Sequence, residues 1–256
     1  MNKITKAFEN NKALIAFITG GDPDIETTER LILAMATSGV DIIEIGIPFS
    51  DPVAEGIVIQ EADERALKNG CTVTKLFDMI RRVREKVAIP LLFMTYANPV
   101  YSYGVKDFMA KSKEVGLDGV IIPDVPFEEK DEFEAPADEY GISLISLIAP
   151  TSGERTEQIA KEAKGFLYCV SSLGVTGVRS AISSNIAELI KDVKKVSSVP
   201  CAVGFGISTP EQARDMAAIS DGVIVGSAIV KIIAEYGKDS IEPVKKFIEA
   251  LKESIN

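Results

Sequence analysis

The apolar run IIEIGI (42–47) carries one carboxylate, Glu44, and the turn-rich stretch PFSDPVAEGIV after it carries two more, Asp51 and Glu55. If the run is a strand, its side chains alternate. Ile43, Ile45 and Ile47 share one face, while Ile42, Glu44 and Gly46 share the other. An ionised carboxylate without a partner on such a buried face costs several kcal/mol. Glu44 is therefore expected to hold its proton more tightly than a surface Glu, which suits a general acid or base. The alternative is a Glu tied to a buried Lys or Arg, but no strand-like run contains either residue. Asp51, before Pro52, reads as turn chemistry or a partner contact. Glu55, before Gly56, reads on its own as a solvated acid. The chain has no His, so Ser-His-Asp, Cys-His and imidazole–metal chemistry are excluded. Acid–base work falls to carboxylates, Lys, Tyr or Cys.

A second group of residues suits an anion. Gly204-Phe205-Gly206-Ile207-Ser208 and Gly226-Ser227-Ala228 each follow an apolar run near the end of the chain. Glycines let backbone N–H groups approach a ligand, and a helix starting at Ser227 would offer unpaired donors. Gly174-Val175-Thr176-Gly177 could add a lid or a third set of donors. A dinucleotide fingerprint does not fit, because Thr209 stands where its third Gly is required.

The elements that must position these residues are eight short apolar runs: 13–18, 42–47, 91–94, 119–123, 144–148, 166–170, 201–203 and 222–225. Each suits a strand buried on both faces. Between them lie amphipathic segments, among them ETTERLILAMATSG, VTKLFDMIRRVREKV, SNIAELIKDVKKV and TPEQARDMAAIS, several opening on Ser or Thr before an acid. Eight such units imply a (β/α)8 TIM barrel of the α/β class, a single domain over 1–256. An open doubly wound sheet is the alternative, although no Gly-rich fingerprint follows the first strand. Polar and turn residues cluster directly after the runs, at the end where barrel enzymes keep their sites. Segments 48–60 and 171–184 read as loops at that rim.

Composition narrows the function classes. The 38 acidic against 28 basic residues leave a net charge of −10, which disfavours nucleic acid or an anionic membrane as partner. Cys71, Cys169 and Cys201 have no metal-like spacing and read as reduced thiols, two of them within apolar runs. No apolar stretch approaches ~18 residues and the first residues lack a signal-peptide core, so a soluble cytoplasmic protein is expected.

Taken together, AFITGGDPD, EIGIPFSDPVAEG, IIPDVPFEE, SSLGVTG, VGFGIS and VGSAIVKII resemble the tryptophan synthase alpha chain family over nearly the whole chain. That resemblance implies a lyase that cleaves indole-3-glycerol phosphate to indole and glyceraldehyde 3-phosphate. It implies no cofactor in this chain, and a pyridoxal-phosphate-dependent beta chain as partner in an alpha2beta2 assembly. The partner would dock on loops around Asp51 and Asn98. By resemblance Glu44 is the proton shuttle and Glu55 takes the place of the acid that holds the indole N–H. Phe17, Ile121, Tyr168 and Phe205 line the indole pocket, and Gly177, Gly206, Gly226 and Ser227 bind the phosphate. No Lys lies in the sixth run, which argues against an imine-forming aldolase. The family reads Asp-Gly-Pro where this chain reads Glu55-Gly56-Ile57. One extra methylene moves a carboxylate by more than ~1 Å, a displacement that can cost about a hundredfold in rate. Two other readings stay open from the residues: an alpha-like chain that chiefly activates its beta partner, and another phosphate-binding barrel enzyme, such as a stand-alone indole-producing lyase.

Overall fold

A computed structural model describes residues 2–9, 11–170, 179–204 and 206–256. All eight apolar runs form strands: β1 (Ala13–Thr19), β2 (Ile42–Gly46), β3 (Leu91–Met94), β4 (Gly119–Ile121), β5 (Ser143–Ile148), β6 (Leu167–Val170), β7 (Cys201–Gly204) and β8 (Gly222–Val225). Each pairs in parallel with the next, and β8 returns to β1 to close the barrel. The run at 119–123 yields the shortest strand. Pro123, which has no N–H, lies just beyond its end.

Helix α1 (Lys3–Lys6) precedes β1, and α2 (Ile25–Thr37) follows it. Then come α3 (Ile57–Lys68) and α4 (Val73–Arg84) after β2, α5 (Ala97–Tyr103) and α6 (Val105–Val115) after β3, and α7 (Asp131–Tyr140) after β4. The circuit ends with α8 (Arg155–Glu162), α9 (Arg179–Val193), α10 (Pro210–Ala217), α11 (Ser227–Tyr236) and α12 (Ile241–Ile255). Side-chain oxygens of Asp24, Thr72 and Thr209 cap α2, α4 and α10 by accepting from N–H groups three residues on. Two expected loops are partly helical: Ile57–Gln60 forms the first turn of α3, and α9 starts at Arg179 rather than near Ser184.

The strands separate two apolar layers. Ile43, Ile45 and Ile47 pack outward against the helices, with Phe77, Phe93 and Phe108 in the same layer. Ile15, Ile42, Leu92, Ile121, Ile145, Tyr168, Ala202 and Ile224 fill the barrel interior. Ile4 of α1 joins this inner cluster and plugs it from the N-terminal end. Interior side chains leave the other, C-terminal end as the place for a ligand. Among the described residues no helix is long and apolar enough to cross a membrane.

Candidate active site

Glu44 lies midway along β2, beside Phe17 of β1 and Leu92 of β3 in the ladder register. It is fully buried, and neither carboxylate oxygen has a hydrogen-bond partner among the described residues. Among the described residues no cation compensates it, and burial pushes its pKa up to about 8. At neutral pH the side chain is mostly protonated and able to give or take a proton. Tyr168 of β6 is near enough to feel it. Burial first, and then the Glu44 charge, raise the Tyr168 hydroxyl well above its ordinary range.

Small residues around the acid make room for aromatic ones. A Cβ on Gly46 would sit 2.7 Å from the Phe17 ring, one on Gly204 would meet the Tyr168 hydroxyl at 2.6 Å, and one on Gly226 would approach Phe17 at 3.2 Å. The glycines at the ends of β2, β7 and β8 therefore set where these rings lie. Gly46→Val is expected to displace Phe17 and lower kcat/KM by about a hundredfold. The measurement is steady-state turnover beside a circular dichroism check of fold; unchanged kinetics would mean the ring position is immaterial. Thr19 is one inward position above Phe17 on β1, next to Gly46. Its buried hydroxyl has no partner, so it too can serve a ligand. The apolar run 13–18 stops one residue short of Thr19; the inward alternation Ile15, Phe17, Thr19 was the signal available.

Glu55 is not the solvated acid that its sequence neighbours suggest. It is part-buried ahead of α3, and its Oε2 is buried without a hydrogen-bond partner among the described residues. Burial is the main cause that raises its pKa, and the neighbouring Asp63 and Tyr96 side chains pull it down. Asp63, on α3, is only 4% exposed and accepts from the Phe49 N–H at 3.5 Å. Burial, then the Glu55 charge, push Asp63 up to about 8. Tyr96 is buried, and its hydroxyl accepts from the Ala54 N–H at 3.0 Å. The Gln60 amide donates to the Glu55 carbonyl at 2.8 Å. The loop carrying Glu55 is thus pinned from both sides. Sequence reading singled out neither Asp63 nor Tyr96, since an acid in an amphipathic helix is ordinarily solvated.

The anion seat takes shape at β7 and β8. Gly226 is the N-cap of α11, Ser227 its first residue, and Gly206 has a φ of 79°. Gly206, Ile207, Ser208, Ser227 and Ala228 line one cleft with Lys231, one turn along α11. Opening N–H groups of a helix lack partners inside it, and the helix dipole favours negative charge there. The cation Lys231 adds to this. Gly177 and Phe205, two of the expected contacts, lie outside the described residues. Ile121 is fully buried in the inner cluster with Tyr168. At the rim Asp51 is exposed and accepts from the Ser50 hydroxyl at 2.6 Å. Near it Val53 and Ile57 are 82% and 65% exposed.

Known proteins resemble this chain along its whole length. The family model described as tryptophan synthase alpha chain matches residues 4–256. A tryptophan synthase alpha chain of Thermoanaerobacter sp. (strain X514) is 49% identical over 99% of both chains. One of Lacticaseibacillus casei is 44% identical over all of this chain and 96% of its own. Among solved structures, the tryptophan synthase alpha subunit of Legionella pneumophila str. Paris superposes with a TM-score of 0.91 at 36% identity, covering 100% of this chain and 98% of that one. A chain from the tryptophan synthase a2b2 complex of the hyperthermophile Pyrococcus furiosus gives 0.87 at 40% identity, covering 94% and 98%. With a closed eight-strand barrel, a match running to its last residue and close relatives aligned end to end, the chain belongs to the tryptophan synthase alpha chain family.

Proposed function

We propose that this chain cleaves indole-3-glycerol phosphate to indole and glyceraldehyde 3-phosphate, and that Glu44 carries the proton. The observation behind this reading is the burial of Glu44 inside the barrel with no cation and no hydrogen-bond partner among the described residues. In the protonated form that burial favours, Glu44 gives its proton to the ring carbon bearing the side chain. It then takes one from the hydroxyl on the carbon attached to the ring. The bond between the two carbons breaks, the hydroxyl carbon becomes the aldehyde, and Glu44 ends as it began. Positive charge that builds on the protonated ring is met by Glu55, whose Oε2 is free to accept the indole N–H. Phe17, Ile121 and Tyr168 supply the apolar walls. Gly206, Gly226 and Ser227 hold the phosphate at the start of α11. Neither proton transfer needs a cofactor in this chain, and the protein works in the cytoplasm.

The physiological partner is a tryptophan synthase beta chain, which takes up the indole. Exposed Val53 and Ile57, beside Asp51, form an apolar rim suited to docking it. Indole release from indole-3-glycerol phosphate is expected from the chain alone and to rise when a beta chain is added. If stimulation of the beta reaction occurs with no indole release under any condition, the lyase reading is wrong. The phosphate seat has its own test. Ser227→Asp sets a carboxylate against the anion and is expected to raise KM tenfold or more, on the order of 1.4 kcal/mol. A KM within twofold of the wild type would move the phosphate elsewhere.

A further inference from the structure

Three carboxylates, Asp22, Glu55 and Asp63, meet between the β1–α2 loop, the β2–α3 loop and helix α3. The one guanidinium among them, Arg65, is committed. Its Nε and Nη2 each donate to a different oxygen of Asp22 at 2.8 Å. The other described titratable groups facing the cluster bring no neutralising charge. Tyr96 comes from the start of α5 and Cys71 from the turn into α4, and both are held neutral by burial. Lys75 of α4 gives its ammonium to the Gly70 carbonyl at 2.6 Å in solvent. Glu55 and Asp63 are neighbours that perturb one another, Asp63 buried and Glu55 part-buried, with no cation of their own among the described residues.

Two acids so placed cannot both ionise at modest cost, and one proton between them removes most of the repulsion. We propose that Asp63 is a positioning residue for Glu55: the two carboxyls share one proton, held on Asp63, which donates to Glu55 and keeps it anionic with Oε2 turned to the indole N–H. This rests on the lyase reading above and explains how the extra methylene at position 55 is accommodated. The longer side chain reaches back to α3 and is fixed there, where a free Glu would wander. Asp63 is the more deeply buried of the pair and is the one pushed up to about 8, which puts the proton on it at neutral pH. When that proton leaves, both carboxylates are charged and Glu55 is driven from its seat.

The test is a carboxyl-carbon NMR titration of the full chain, paired with kinetics. In the wild type, Glu55 and Asp63 are expected to titrate in two linked steps, the upper near 8. In Asp63→Asn, Glu55 should titrate in a single step, still raised by its burial. In kinetics, Asp63→Leu is expected to lower kcat/KM about a hundredfold at neutral pH with the substrate KM little changed. Asp63→Asn, which can still donate to Glu55, should recover most of that loss. Its alkaline limb should also fall with one proton, that of Glu44, where the wild type loses two. A single-step titration of Glu55 in the wild type would overturn the shared proton, and an Asn variant no better than the Leu variant would overturn the positioning role. Should wild type release no indole at all, the lyase reading and the positioning role fall together, while the titration still decides the shared proton.

Discussion

Glu44→Gln is expected to lower indole release by about 10³–10⁴-fold, since one side chain serves as both acid and base. Binding of a phosphate-bearing substrate should be nearly unaffected, because the anion seat lies on β7, β8 and α11. The same substitution should stabilise the protein in alkali. Glu44 titrates from its ordinary 4.5 to about 8 on folding. Between those values the folded chain holds a proton that the unfolded chain has released, so stability falls as pH rises through that window. Below it the penalty is absent, and above it the penalty is complete. Gln cannot ionise and escapes it. Urea unfolding at about pH 9 should show the variant more stable by a few kcal/mol, and at about pH 4 the two should be equal. A variant that keeps wild-type turnover ends the assignment of Glu44. Equal stability at both pH values would mean that the wild-type carboxylate has a counter-charge.

That acid stood out in the sequence because it interrupts a hydrophobic run, and the runs themselves were legible for the same reason. A parallel barrel strand is buried on both faces, so it reads as continuous apolar residues rather than as an alternation. Run 222–225 became β8 without change, and 91–94 became β3. Helix starts were less visible. The onset of α9 at Arg179 precedes the Ser-rich stretch taken as its cap, and α3 begins within a segment rich in turn residues. Helix α1 is four residues long, too short to show any period, and only the packing of Ile4 under the barrel reveals its purpose.

The site divides along similar lines. Ser227 at the start of α11 and the glycines before it could be placed by counting strands. The company Glu55 keeps could not, because Asp63 lies eight residues further on and Tyr96 beyond the next strand. Both are local unremarkable residues: one acid in an amphipathic helix, one aromatic after a strand. Long-range closure of the barrel brings them together, and a carboxylate that looked solvated becomes part of a proton-sharing pair.

The Asp22–Arg65 pair decides how much negative charge that cluster must bear, and breaking it should have the largest effect on stability. Asp22 is buried in the loop after β1, and Arg65 donates to both oxygens of its carboxylate. Asn69 donates to the Pro23 carbonyl at 2.6 Å and Cys71 to the Gly20 carbonyl at 3.3 Å, so the same loop is clasped to α3 and its following turn three times. Arg65→Met leaves Asp22 charged and out of water, a change that typically costs about 3–5 kcal/mol. Arg65 keeps about a third of its side-chain surface in solvent, which places the expectation at the lower end, about 3 kcal/mol. For a chain of this size that is a fall in Tm of about 6–12 °C. Adding Asp22→Leu should return most of it, because removing both charges also removes the desolvation penalty. The single variant should move Glu55 and Asp63 as well: with Asp22 no longer neutralised, the upper step of their titration shifts to higher pH. Thermal unfolding of the single and double variants, with the carboxyl titration of the single, separates these effects. A double variant no more stable than the single would assign the loss to the helix clasp rather than to charge. An unmoved titration would place Asp22 too far from the acid pair to matter.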